Sequence, residues 1–137
     1  MDSNGRSLYI GPNHWWLATA AVFCFLFSSN EILQRALIDV DGRIVSSQTT
    51  SGNRPSTYYV VRGSDGVDSE YVAGATDSSL PRHLPVETYI KKHKYDLSWQ
   101  KNQVIVDDFP LYFYMGIYGI AFALSYWSFA QWRLNRS

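Results

Sequence analysis

With one cysteine, three histidines and five prolines among 137 residues, the chain has little material for several kinds of chemistry. A lone thiol, Cys24, excludes an internal disulfide. Its apolar neighbours Phe23 and Phe25 make it a packing residue, since a reactive thiolate needs an electropositive setting. No Gly-rich phosphate loop, Gly-x-Ser-x-Gly elbow, His-Glu-x-x-His run or cysteine pair occurs. Neither a catalytic residue nor a metal or cofactor is therefore expected. Net charge is lacking as well: 12 Lys and Arg balance 12 Asp and Glu, which argues against nucleic acid as a partner.

What the chain does have is apolar residues, 46% of the total, gathered into two runs. Residues 109–130 carry no formal charge over 22 positions. At about 1.5 Å of rise per residue a helix of that length reaches roughly 33 Å, enough for a hydrocarbon core of about 30 Å. Asp107 and Asp108 precede the run, and Trp132, Arg133 and Arg136 close it, as interfacial groups do. The other run begins at Trp15-Trp16 and, continued through Asn30 and Glu31, predicts a span over residues 14–33 with that polar pair solvated at its exit. A cleaved signal peptide requires a basic leader and a small-x-small cleavage site, whereas Arg6 is offset by Asp2 and Phe27-Ser28-Ser29 fits poorly. Small residues at Ala20, Cys24 and Ser28, and at Gly116, Gly119, Ala123 and Ala130, predict stripes through which the helices pack on each other, on a partner subunit or on a second copy.

Between the runs lies a polar insert, residues 34–108. Residues 32–38 read as an amphipathic stalk and Asp41-Gly42 as a turn. Strands are then expected at 43–50, 57–62, 70–73 and 86–95, with a last hairpin from 97–99 and 104–106 around Lys101-Asn102. Ile44, Tyr59, Val61, Tyr71, Leu84, Val86, Ile90, Leu97, Trp99 and Val104 are the predicted core. The fold class expected is thus a membrane α-helical hairpin of two transmembrane helices carrying an inserted, small, barrel-like all-β domain, with short tails at 1–13 and 131–137.

The order of a first span, Asp41-Gly42-Arg43-Ile44-Val45-Ser46-Ser47, the Tyr58-Tyr59-Val60-Val61 strand, Tyr71-Val72, the basic stretch 90–94 and a closing span resembles a family of bacterial two-span membrane proteins. The small β domain of that family has no assigned function. Where such proteins place glycines, before the fourth strand and in the last hairpin, this chain has Glu87 and Gln103. The resemblance implies the bacterial inner membrane and supplies no catalytic residues.

Three features of the insert carry candidate chemistry. The loop 73–85 is long for so small a domain, and Arg82 and His83 between its two prolines mark a recognition point. Lys91, Lys92 and Lys94 with His93 form a basic strand suited to anionic headgroups or a polyanion, or else to guarding a sheet edge. His83 and His93 with nearby carboxylates are the material for a metal-dependent enzyme or sensor. Asp107 and Asp108 read as solvated boundary markers. The leading expectation is a non-enzymatic, membrane-anchored binding module, an accessory, regulatory or immunity-type subunit with the bilayer and a membrane protein or second copy as partners. Nine Lys and Arg lie in the insert, too long a loop to set orientation. The acid-to-base contrast across the second run predicts cytoplasmic termini and an extracytoplasmic β domain.

Overall fold

The structure, a computed structural model, describes residues 14–134. Along the chain run α1 (His14–Leu37), β1 (Val40–Thr49), β2 (Thr57–Arg62), β3 (Asp68–Ala73), β4 (Tyr89–Lys92), β5 (Trp99–Lys101), β6 (Val104–Val106) and α2 (Leu111–Leu134). Of the described residues, 29–111 form one compact unit, and 14–28 with 112–134 form another.

Within residues 29–111 the six strands make one antiparallel sheet in the order β3-β2-β1-β4-β5-β6. The β-branched and aromatic run Thr57-Tyr58-Tyr59-Val60-Val61 supplies the alternation this needs: Thr57, Tyr59 and Val61 are buried while Tyr58 and Arg62 are exposed. One face is packed by Val40, Ile44, Tyr59, Val61, Ala73, Leu80, Leu84, Ile90 and Trp99. The other carries ion pairs, among them Arg43–Glu87 at 3.1 Å and Arg62–Asp68 at 2.7 Å, as one-sided antiparallel sheets do.

Asp41-Gly42 is not a turn. It lies inside β1, where a Cβ on Gly42 would stand 2.4 Å from the Arg62 carbonyl oxygen; only glycine permits that approach. The strand therefore begins earlier than its composition suggests and adds Val40 to the core, with a register shift between Ile44 and Ser46. Of the expected core, Val86 and Val104 are exposed, because β4 is short and β6 is an outer strand. The last hairpin turns through Asn102 (φ 48°) and Gln103 (φ 70°), and Glu87 (φ 72°) precedes β4.

The expected hairpin of two spanning helices around a barrel does not form. β3 and β6 are the ends of an open sheet, so there is no closure. Among the described helices only α1, over Trp15–Leu37, is both long and apolar enough to cross a membrane. α2 is as long but fails on apolarity, because freedom from charge is not hydrophobicity: Tyr112, Tyr114, Tyr118, Tyr126, Trp127, Ser125 and Ser128 carry polar atoms throughout it. With the second span goes the ground for placing both termini on one side.

In the unit of residues 14–28 and 112–134, Phe25 meets Tyr118 edge-on at 5.5 Å and Phe27 meets Tyr114 at 6.2 Å. The buried positions are Ala21 and Ser28 on α1 and Tyr114, Ala121 and Ser128 on α2, each set repeating every seven residues. Of the small-residue stripes, Ser28 alone lies in the seam. Ala20, Gly116, Gly119 and Ala123 are exposed, Cys24 is half-buried, and a Cβ on either glycine would meet nothing within 4 Å. Spacing of four drifts off a helix face that spacing of seven follows.

Candidate functional site

The last two turns of α1 belong to the sheet unit, and Arg35 fastens them there. Its side chain is fully buried. Nε donates to the Leu97 carbonyl at 2.9 Å, Nη1 to the Ser79 carbonyl at 2.9 Å, and Nη2 pairs with the Asp108 carboxylate, while the guanidinium lies 5.9 Å from the Phe109 ring centre. Asp108 also accepts from the Trp99 indole at 3.2 Å. Asp108 is thus exposed, as a boundary residue is expected to be, and is also the counter-charge of a buried cation. A planar group with five donors can reach separated acceptors in this way, which an ammonium cannot. The signal for Arg35 was that it is the one charged residue of the 32–38 stalk.

Lys92, expected on a basic surface, is buried, because β4 ends there and its alternation turns this residue inward. Its Nζ donates to the carbonyls of Ile38 (3.2 Å), His93 (3.1 Å) and Asp96 (2.5 Å). Burial, aided by the Arg35 charge, pushes its ammonium pKa down. Lys91 points to the opposite face and pairs with Asp41 at 3.2 Å, whose carboxyl the Tyr89 hydroxyl holds below the ordinary range. Lys94 is exposed over the Tyr95 ring. The lysines therefore occupy three environments and share no basic face. His83 and His93 are exposed, and among the described residues no group of three or more His, Cys, Asp or Glu is placed to hold a metal. The side chain of His14 lies outside the described residues, as do Arg6 and Arg136. Glu31, expected to be solvated, is 8% exposed, with Oε2 bonded to no protein donor.

The 73–85 loop is ordered by its own hydroxyls and by two tyrosines. Tyr71 accepts from the Leu80 amide at 2.9 Å; Tyr59 accepts from the Leu84 amide at 3.0 Å and donates to the Pro81 carbonyl at 2.9 Å. The two rings stack 6.4 Å apart. Burial pushes both phenols up in pKa. Arg82 is half-buried and donates to the Pro55 carbonyl at 3.1 Å. Two open clefts flank the loop. One of about 280 Å³ is lined by Gln34, Ile38, Tyr71, Val72, Gly74 and Thr76, among others. One of about 190 Å³ is lined by loop residues with Arg82 and Asp108. The hydroxyls, the Gln34 amide and the Tyr71 ring of the first cleft suit recognition of a peptide or another neutral polar group. The chain matches no protein-family model, no curated protein and no solved structure.

Proposed function

We propose that the protein is a membrane-anchored binding module of the bacterial inner membrane. α1 is its anchor, and the six-stranded sheet is an extracytoplasmic surface serving as an accessory, regulatory or protective subunit for a membrane protein. The observation that carries this reading is the continuity of α1: one helix runs from a lipid-compatible stretch, 17% buried in its most apolar window, into the sheet unit, where Arg35 locks it. A helix so built in is an anchor rather than a removable leader. Cleavage near Ser28 would also discard the ring contacts of Phe25 and Phe27. Binding rather than catalysis is the work of the sheet, whose ion-paired face and two outer strands face water.

The test is made in native membranes. Alkaline carbonate should leave the full-length chain in the pellet, and gentle detergent should release it in a complex of defined stoichiometry. Extraction by carbonate, or a monomer in detergent, overturns the reading. A reporter that fluoresces only in the cytoplasm, fused to Met1, should be bright; a dark fusion reverses the orientation.

A further inference from the structure

Of the two outer strands, β6 has three residues, too few to fix a register, whereas β3 has six and pairs only with β2. Its pairing is regular: Ser69 opposes Val61, Tyr71 opposes Tyr59 and Ala73 opposes Thr57. The hairpin bond from the Gly63 amide to the Val67 carbonyl, 3.0 Å, sets the phase of the ladder. By the alternation of antiparallel pairs, Ser69, Tyr71 and Ala73 bond inward to β2, which leaves the N–H and C=O groups of Asp68, Glu70 and Val72 directed outward. Those three residues are exposed. The cleft of about 280 Å³ abuts the strand at Tyr71 and Val72, where a side chain of an added strand would lodge.

Charge decides what such a strand can be. From Gly63 to Ser79 the chain carries Asp65, Asp68, Glu70 and Asp77 and no Lys or Arg. Arg62 and Asp68 neutralise each other and Arg82 is turned to Pro55, so the negative charge of the rim comes from Asp65, Glu70 and Asp77. A second copy docking by two-fold antiparallel pairing would bring Glu70 against Glu70, a like-charge opposition that disfavours it. Resting on the binding-module reading, we propose that β3 is a strand-addition site for a basic, extended segment of the partner polypeptide, held by main-chain hydrogen bonds to Asp68, Glu70 and Val72 and steered by the acidic rim.

The probe is a short synthetic peptide alternating Lys with Thr and Val, added to the full chain in detergent micelles. Two controls accompany it: the same peptide with Glu for Lys, and a version N-methylated on the bonding edge. The lysine peptide should slow amide hydrogen exchange at Asp68, Glu70 and Val72. Both controls should bind at least about tenfold more weakly, and Glu70→Lys, an exposed change, should weaken binding by about tenfold with the fold intact. Equal binding by the controls, protection at β6 instead of β3, or concentration-dependent self-association through β3 each overturns the assignment. A detergent-stable complex that Glu70→Lys leaves untouched would retain the module and remove this edge from it.

Discussion

Arg35 and Lys92 are two buried cations in one small unit, and they are stabilised by different means. Arg35 has a carboxylate, two carbonyls and a ring; Lys92 has carbonyls alone. Asp108 is 36% exposed and stays solvated without its partner, so Arg35→Ala should cost about 1–3 kcal/mol in denaturant unfolding, for the Leu97 and Ser79 carbonyls it leaves unpaired. Arg35→Lys should recover only part, since one ammonium cannot reach all the acceptors. For the lysines, Lys92→Ala should lose about 1–3 kcal/mol by leaving carbonyls unpaired, against less than about 0.5 kcal/mol for exposed Lys94→Ala. Tyr59 and Tyr71 give a pH dependence of definite sign. Their phenols ionise less readily in the fold than in the unfolded chain, so the stability they add is complete below the ordinary tyrosine pKa of 10.0 and is lost as pH rises past it. Tyrosinate absorbance should show a late class of phenols that titrates together with loss of near-ultraviolet dichroism. Tyr59→Phe should remove part of that class.

The last hairpin shows how local chemistry and strand pairing can disagree. Asn102 and Gln103 both sit at positive φ, the geometry of a two-residue turn that favours Asn-Gly. Gln103→Gly should therefore raise the unfolding midpoint, by about 0.5–1 kcal/mol in stability. That Gln rather than Gly follows Asn102 was visible in the sequence; the positive φ it adopts was not. Strand β2 was legible at full length, because its alternation is a local property. β1 was misread at its start, because Asp41-Gly42 is a turn signal unless an opposing strand takes up the glycine, and that strand is remote in sequence. The same limit hid the seven-residue seam of the helices. Composition marks small residues, but burial depends on where the partner helix lies.

For the whole molecule, charge-free length was the misleading quantity. It counted α2 as equal to α1, although tyrosine, tryptophan and serine break up the apolar residues of α2 so that, of the described helices, α1 alone keeps a stretch apolar enough to span. The candidate site was legible as a loop, 73–85, and its clefts lie there. Of the pair that ties the loop and the helix together, Arg35 was not singled out and Asp108 was read only as a boundary residue, because each pairs with a residue far along the chain. The anchor assignment has a direct test. Phe23 is 70% exposed on α1, and Phe23→Arg would place a cation within the apolar stretch at about 2.5–3.5 kcal/mol on an insertion scale. Membrane fractionation should then show the variant shifted out of the carbonate-resistant pellet, while a change on the sheet such as Glu70→Lys leaves it there.

The Arg35–Asp108 pair spans 73 positions of sequence. Translation delivers the cation early and its counter-ion near the end, so a nascent polypeptide halted before Asp108 holds a guanidinium with nowhere dry to go. A chain cut short ahead of Asp108 should accordingly unfold at lower denaturant than the full chain, since its guanidinium lacks the one carboxylate that offsets it.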